Sequence, residues 1–233
     1  MSSKFKYRAY DEELMDDLSA SGPVIPQTLR ELETINKWLG GNFVTIDGII
    51  KLIRRKNPGK LVIADLGCGG GDILKLVAGW ATQKKVDVKL IGFDANPHII
   101  EYARENCKAF ENIRFEVQDI FSEEFKEREF DIILCTLFTH HFNEEQLTGI
   151  FKQFKSQAKI GVVINDLHRH PVAYHSIKLL VNLFSKSELV KNDGPLSVLR
   201  SFKRKELVQL MNDAEIGRYS LQWMWAFRWQ LVF

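Results

Sequence analysis

The sequence contains little cysteine and no long apolar run. Its 233 residues include three cysteines, Cys68, Cys107 and Cys135, and no two of them form a CxxC pair. An odd number of widely spaced cysteines fits neither a disulfide framework nor a zinc site built from cysteine pairs. The N-terminus has no apolar leader segment, and no window approaches the roughly 18 apolar residues of a membrane span. These absences predict a cytoplasmic protein with reduced thiols and no membrane span.

The sequence also lacks an excess of one charge. It has 32 Lys and Arg against 30 Asp and Glu, which gives a formal net charge of +2. A nucleic-acid binder needs a clear basic excess on one face, so we expect no nucleic-acid partner. The proportions of hydrophobic residues (45%) and charged residues (27%) are those of ordinary globular proteins, which excludes a disordered or fibrous chain. The length allows one core domain with an elaboration.

Residues 1–59 are predicted to form a helical N-terminal cap. Apolar side chains recur at three- and four-residue spacing over residues 29–39, and Gly40 then signals a helix end. A second helix is predicted at about residues 43–56. This region contains no run that reads as a strand, so we expect it to cover another part of the molecule.

From Lys60 onwards, short apolar runs alternate with amphipathic stretches. Strands are predicted at 61–66, 89–94, 113–117, 130–135 and 161–166, and helices at about 72–83, 97–107, 144–157 and 203–214. Nearly continuous apolar strands separated by helices indicate a parallel sheet that is covered on both faces. Residues 218–233 are predicted to add an antiparallel hairpin at the sheet edge. The very apolar segment at about 171–200 is predicted to be a helical insertion.

A glycine-rich turn follows the first predicted strand. It reads Asp65-Leu66-Gly67-Cys68-Gly69-Gly70-Gly71-Asp72, and its glycines let the backbone approach a ligand at the carboxyl edge of the sheet. The dinucleotide fingerprint requires a sixth-position glycine where this sequence has Asp72. An acid there would repel a pyrophosphate at the helix N-terminus, so NAD and FAD are disfavoured as ligands.

Two further acids follow the second and third predicted strands. Asp94 is placed to accept hydrogen bonds from the two hydroxyls of a ribose. Asp119 can meet the exocyclic amine of an adenine, with Ile120 beside the ring. Together these residues describe a site for an adenosine without phosphates. The alternatives are that Asp94 caps the helix that begins near Pro97, and that Asp119 is an ordinary loop residue.

On these residues the sequence resembles the class I S-adenosylmethionine-dependent methyltransferases over about residues 60–215. Within that class, the run Leu137-Phe138-Thr139-His140-His141-Phe142 looks like that of small-molecule enzymes related to the ubiquinone/menaquinone biosynthesis group. The resemblance implies an α/β, Rossmann-like seven-stranded sheet, with residues 60–233 as the methyltransferase domain and S-adenosylmethionine as cofactor. The implied cofactor-binding residues are Asp65, Gly67, Cys68, Gly69, Gly71, Asp94, Ala95, Asp119, Ile120 and Leu137.

Histidines and an arginine follow the fourth and fifth predicted strands, where an acceptor would lie. His140 and His141 are candidate general bases, although at least one of them is expected to hydrogen-bond the loop instead. His168 and Arg169 complete the candidate catalytic set, and Arg169 either holds an anionic acceptor or pairs with a nearby acid. These residues lie on two separate loops without i, i+4 spacing, so no metal site is expected.

Methyl transfer requires alignment of donor and acceptor and exclusion of water more than it requires a base. We therefore expect a monomeric or homodimeric enzyme that methylates an oxygen or carbon of a small aromatic or lipid-like metabolite. The helix at 172–184 would wall the acceptor pocket together with Trp38 and the C-terminal tryptophans, or it belongs to the core or to a dimer face. Tyr7 and Tyr10 are candidates for closing over the cofactor. Two alternatives are a non-catalytic cofactor-binding scaffold and an RNA or protein methyltransferase.

Overall fold

A single seven-stranded sheet forms the centre of the protein, whose computed structural model describes residues 3–18, 20–54 and 59–233. The strands are β1 (Leu61–Leu66), β2 (Val88–Asp94), β3 (Ile113–Val117), β4 (Phe130–Thr136), β5 (Ala158–Leu167), β6 (Ser220–Met224) and β7 (Arg228–Val232). Their order is β3-β2-β1-β4-β5-β7-β6. The first five strands pair in parallel, whereas β7 is antiparallel to both β5 and β6. The predicted α/β fold with a C-terminal antiparallel hairpin is confirmed.

Helices cover both faces of this sheet. They are α1 (Val24–Trp38), α2 (Gly41–Ile53), α3 (Asp72–Lys84), α4 (Pro97–Asn106), α5 (Glu123–Lys126), α6 (Glu144–Gln157), α7 (Pro171–Phe184), α8 (Glu188–Arg200) and α9 (Arg204–Asp213). One hydrophobic core joins the sheet to α2, α3 and α4, and a second joins its other face to α6 and α9. Because both faces are buried, the strands carry apolar side chains at nearly every position.

The N-terminal region is less helical than its sequence pattern predicts. Helix α1 ends next to Gly40, whose φ of 71° provides the left-handed turn that the glycine signal predicts. The predicted second helix ends at Ile53, and its last predicted residues, 55 and 56, lie outside the described residues. Before α1, the described residues form only two short 3-10 turns, Ser3–Phe5 and Leu14–Asp16. The prediction of helix throughout this region is therefore wrong for its first part.

Long-range contacts hold that first part against the sheet edge. The guanidinium of Arg8 is buried and donates hydrogen bonds to the carbonyls of Arg200 at 2.6 Å, His140 at 3.0 Å and Phe142 at 2.9 Å. Residues 5–18, which we call the N-terminal strap, thus cross the loop that follows β4. A segment anchored by three carbonyls of distant residues keeps a largely extended course, apart from the 3-10 turn Leu14–Asp16.

Candidate active site

A cavity of about 1850 Å³ runs along the carboxyl edge of the parallel strands. One end is formed by the loops after β1, β2 and β3. The other end is formed by α7, α8 and the turn between β6 and β7, and the N-terminal strap lies across the junction of the two. Ligands of open α/β sheets bind at this edge. The cavity is large enough for two ligands side by side.

The glycine loop after β1 makes room for one of these ligands. Gly67 and Gly69 have φ values of 67° and 50°, and a Cβ on Gly67 would lie 2.2 Å from the ring of Phe138. Both glycines line the cavity, and their predicted contact with the cofactor stays a prediction. Gly71 differs from the prediction, because it is absent from the cavity wall and a Cβ there would lie 2.6 Å from Phe115. Gly71 allows the loop to pack closely against Phe115. A sequence pattern cannot distinguish this role of a glycine from contact with a ligand.

Asp65 is a buried carboxylate at the cavity wall without a hydrogen-bond partner. Neither of its oxygens has a protein donor. Burial, together with the negative charges of Asp72 and Asp94, raises the pKa of Asp65 well above its usual value. A buried acceptor pair left open at a cleft indicates that a bound ligand supplies the donors.

Asp94 lies at the end of β2 and faces the glycine loop. The backbone N–H groups of Gly69 and Asn96 donate to its two oxygens at 3.4 and 3.0 Å, and burial raises its pKa. The alternative that Asp94 caps the next helix is wrong, because Asn96 caps α4 through hydrogen bonds from His98 and Ile99. The carboxylate of Asp94 is therefore available to accept hydrogen bonds from a ligand in the cavity.

The remaining predicted cofactor residues also line the cavity. They are Cys68, Ala95, Asp119, Ile120 and Leu137. Asp119 accepts a hydrogen bond from the N–H of Phe121 through one carboxylate oxygen, so its loop is fixed locally while it remains at the cavity wall. Leu137 has a φ of 53°, unusual for a branched side chain, and its N–H donates to the carbonyl of Asn165 at 2.9 Å. This end of the cavity offers carboxylates and apolar faces but no phosphate cradle.

His140 lies buried between two carboxylates at the middle of the cavity. Its Nδ1 donates to Asp166 Oδ1 at 2.7 Å, and its Nε2 is 3.5 Å from Glu13 Oε1. Burial alone would lower the pKa of His140, but the charges of these two carboxylates and their hydrogen bonds raise it to about 10. The imidazole is therefore protonated at neutral pH in this arrangement, and of the two predicted roles the structural one fits it.

His141 is half-buried at the cavity wall and is oriented by a carboxylate of the N-terminal strap. Its Nδ1 lies 2.6 Å from Asp16 Oδ1. Burial opposes ionisation of Asp16, but the hydrogen bond and charge of His141 and the charge of Arg200 hold the pKa of Asp16 well below its usual value. Both histidines thus have their Nδ1 atoms engaged by acids.

Sequence reasoning missed the part played by Glu13, Asp16 and Arg200. Glu13 is buried and accepts a hydrogen bond from Ser197 Oγ at 2.9 Å, while Arg200 binds Asp16 at 2.7 Å and the carbonyl of His141 at 2.7 Å. The acidic stretch near the N-terminus was the only signal available. Its partners lie more than a hundred residues away along the chain, so spacing could not identify them.

Comparison with known proteins identifies the family. Residues 58–206 match the family model described as a methyltransferase domain. The chain belongs to this methyltransferase family. It is an enzyme that uses S-adenosylmethionine as cofactor, and the described cleft fits this molecule: the open oxygens of Asp65 would accept hydrogen bonds from its ammonium group, and Asp94 from its ribose hydroxyls.

Individual relatives cover most of the methyltransferase. A carboxy-S-adenosyl-L-methionine synthase of Helicobacter pylori is 31% identical over 81% of this chain and 79% of its own length. The 6-hydroxytryprostatin B O-methyltransferase of Neosartorya fischeri is 25% identical over 77% of this chain, which spans 42% of that protein. The plantazolicin methyltransferase BpumL, solved with SAH, has the same fold with a TM-score of 0.62 at 19% identity, and the match covers 86% of this chain and 79% of BpumL.

Two predicted catalytic residues of the methyltransferase lie outside the cavity. Arg169 is buried under the N-terminal strap, where it pairs with Glu206 and donates to the carbonyl of Ser201. His168 packs against Trp229 with ring centroids 5.0 Å apart, and burial lowers its pKa to about 4. The chain turns away from the cavity after β5, so the expectation that both face the acceptor is not met. Arg169 has the alternative predicted role, pairing with a nearby acid.

The two tyrosines of the N-terminal strap differ in position. Tyr10 borders the cavity and donates to Glu144 Oε2 at 2.5 Å. Tyr7 is 69% exposed and does not border it. Only Tyr10 therefore remains a candidate for closing over the cofactor.

The far end of the cavity is mostly apolar, although Ser176, Asp193, Ser197 and Arg228 also line it. Side chains of α7 and α8 and of the β6–β7 turn form its wall: Ala173, Ile177, Leu180, Val181, Val190, Val198, Trp225 and Phe227. The prediction that the segment at 172–184 walls a pocket agrees with this geometry, whereas Trp38 packs outside against Phe184 with ring centroids 6.5 Å apart. In the part of the chain that the structure describes, no helix is both long and apolar enough to cross a membrane.

Proposed function

We propose that this methyltransferase transfers the methyl group of S-adenosylmethionine to a hydroxyl oxygen of a small, largely apolar acceptor, aromatic or lipid-like in character. One observation carries this proposal: the cofactor cleft continues into an apolar chamber, and a cluster of acids and histidines lies where the two meet. A chamber walled by α7, α8 and residues 225–227 favours a compound with a hydrocarbon or aromatic body. The N-terminal strap and these helices would then select the acceptor.

Methyl transfer requires the protein mainly to align donor and acceptor and to exclude water. The bound cofactor supplies an electrophilic methyl group on a sulfonium, whose positive charge is lost in an in-line displacement. The buried Glu13 accepts a hydrogen bond from Ser197 across the junction and helps the strap to exclude water. The acceptor hydroxyl must lose a proton, and His141, held by Asp16, is at the cavity wall where that proton would leave. This need for a proton acceptor favours an oxygen over an already activated carbon.

A second candidate is synthesis of carboxy-S-adenosylmethionine, which the 31% identity to the Helicobacter pylori synthase favours. Such an enzyme modifies the cofactor itself and has no need of a large apolar acceptor chamber. The extent of the chamber beyond the cofactor cleft therefore supports methyl transfer as the first choice.

The test uses mass spectrometry of both cofactor and acceptor. Purified protein is incubated with S-adenosylmethionine carrying a labelled methyl group and with a panel of alkylphenols, hydroxylated polyketides and long-chain hydroxy acids. We expect label in an apolar hydroxylated compound and stoichiometric S-adenosylhomocysteine. A parallel incubation adds small carboxylic acids that lose their carboxyl group readily, as carboxyl donors, and a sulfonium product heavier by a carboxyl group in that incubation would instead support the synthase. Label only in RNA or protein, or cofactor binding without turnover across the panel, would contradict the proposal.

A further inference from the structure

Three side chains with metal-binding atoms converge at the junction of the two chambers. Glu13, His140 and His141 each present one ligand atom, and these atoms lie within 4.8 Å of one another. Ligand atoms around a tetrahedral ion with bonds of about 2.1 Å are about 3.4 Å apart, so small side-chain rotations bring the set to bonding distance. All three side chains border the cavity.

Both histidines carry the outer-sphere partner that metal-binding histidines normally have. Asp166 holds Nδ1 of His140 at 2.7 Å, and Asp16 holds Nδ1 of His141 at 2.6 Å. A carboxylate on one ring nitrogen fixes the ring and makes the other nitrogen a better ligand. Two separate segments, β5 and the N-terminal strap, thus orient two adjacent histidines in the same way. Fixing the loop alone would not require both contacts.

Glu13 supplies an independent observation. Its carboxylate is fixed through Oε2, which accepts from Ser197 Oγ at 2.9 Å, while the buried Oε1 has no hydrogen bond of good geometry. The groups nearest to Oε1 are His140 Nε2 at 3.5 Å and Arg200 Nε at 3.7 Å. Oε1 is thus held only by long charged contacts, and a cation that displaces the His140 proton could bind it at a shorter distance.

The surrounding charges also favour a cation. Three carboxylates, Glu13, Asp16 and Asp166, face the two histidines. The guanidinium of Arg200 is directed mainly at Asp16 and at backbone carbonyls, and that of Arg8 also binds backbone carbonyls. Because Arg8 also pairs with Glu144, Arg200 alone opposes the three carboxylates, and a dication that replaces the His140 proton would balance the two negative charges that remain.

We propose that Glu13, His140 and His141 bind one divalent transition-metal ion of the Zn²⁺ type, with an open coordination position toward the cavity. In the metal-free protein Nε2 of His140 carries a proton, and binding of the ion releases that proton. Two imidazoles and one carboxylate are a borderline ligand set that suits Zn²⁺ and leaves room for a further ligand, as in catalytic rather than structural zinc sites. The expectation of no metal site was based on spacing within two loops, and the third ligand comes from the N-terminal strap.

The catalytic role of the ion rests on the proposed function. An acceptor hydroxyl bound at the open position would release its proton to solvent, because a zinc ion lowers the pKa of a bound O–H group. The ion would then replace His141 as the group that promotes this proton loss. The oxygen then takes the methyl group, the methyl–sulfur bond breaks, and the bonding pair stays on sulfur as neutral S-adenosylhomocysteine. One acceptor and one sulfonium thus give one ether, one thioether and one proton.

The experiment measures zinc on the full chain without a polyhistidine tag. Chelator-treated protein is titrated with Zn²⁺ by calorimetry, and the metal is counted by mass spectrometry after gel filtration. We expect about one zinc per chain, and a loss of affinity of at least about tenfold in Glu13→Gln and in His141→Gln. His98→Gln is the matched control, since His98 is exposed on α4 and should leave binding unchanged.

Several outcomes would overturn the site. They are no stoichiometric zinc in the wild-type chain, or unchanged affinity in both ligand variants. Because Glu13 is buried, circular dichroism checks each variant, and the half-exposed His141 carries the test if Glu13→Gln does not fold. Co²⁺ in the wild-type chain gives a second readout, since its visible spectrum should change when the acceptor chamber is filled. Methyl transfer by metal-free protein at the full rate would contradict the catalytic role of the ion but leave the proposed function. Zinc binding without methyl transfer to any acceptor would leave the metal site but contradict the proposed function.

Discussion

His140 and Asp166 form a buried ion pair that joins the loop after β4 to the end of β5, with 2.7 Å between Nδ1 and Oδ1. Asp166 also accepts hydrogen bonds from the hydroxyl of Thr139 at 2.5 Å and from the N–H of His140 at 3.1 Å. Three donor groups of one loop thus depend on a single carboxylate. The loop they fix borders the cofactor cleft at Leu137 and the acceptor chamber at His141.

The first prediction concerns this ion pair and pH. In the folded protein the pKa of His140 is about 10, against about 6.5 in an unfolded chain, so its contribution to stability is complete below pH 6.5 and is lost as pH rises through 10. Asp166→Asn should lower the free energy of unfolding by about 3 kcal/mol at pH 7 and by less above pH 10. Urea unfolding at both pH values checks this. Asp213→Asn, at an exposed position on α9, is the control, and an equal loss there would contradict the prediction.

The second prediction concerns Asp65. Because its pKa is higher in the folded protein than the value of about 3.9 in an unfolded chain, the unpartnered Asp65 carboxylate lowers the free energy of unfolding at pH values above 3.9. Asp65→Asn should therefore raise the free energy of unfolding of the ligand-free protein by about 1 kcal/mol at pH 7, and weaken S-adenosylhomocysteine binding at least about tenfold. Thermal unfolding with and without S-adenosylhomocysteine measures both effects. A variant that binds as tightly as the wild type would show that Asp65 does not receive the ligand's donors.

The third prediction concerns Gly67. An alanine there needs a φ of 67° and a Cβ that lies 2.2 Å from the Phe138 ring, so Gly67→Ala should lower the free energy of unfolding by about 2 kcal/mol and abolish detectable cofactor binding. Gly149→Ala is the control, because Gly149 lies within α6 with no atom near its added Cβ. That variant should gain about 0.5–1 kcal/mol from helix propensity alone. Calorimetry with S-adenosylhomocysteine and denaturant unfolding distinguish the two.

The fourth prediction separates the acceptor chamber from the cofactor cleft. Ile177 lines the chamber on α7, so Ile177→Trp should raise the KM for an apolar acceptor at least about tenfold by filling that space. The Kd for S-adenosylhomocysteine should remain within about twofold, since no residue of the cofactor cleft is changed. Leu179→Trp, exposed on the same helix, should change neither quantity. Equal effects of both variants on acceptor KM would place the acceptor elsewhere.

The cofactor cleft shows how far local sequence signals reach. The strand β1, the turn at Gly67 and the acid Asp94 at the end of β2 follow from apolar runs, glycines and the parallel arrangement of consecutive strands. Gly71 marks the limit, because the same residue type serves backbone approach in one position and packing against Phe115 in another. His168 and Arg169 show the same limit of local sequence signals. Their position after β5 does not tell whether the chain turns toward the cavity or away from it.

By itself the sequence determined the order of helices and strands, the parallel sheet with its terminal hairpin, and the edge at which the cofactor cleft lies. Periodicity, glycine turns and helix caps act within about ten residues, so these features can be read along the chain. Only the tertiary structure decided that Glu13 and Asp16 face His140 and His141, and that Arg169 is buried away from them. Those contacts join residues more than 120 positions apart along the chain, and only the packing of the N-terminal strap onto the sheet edge brings them together.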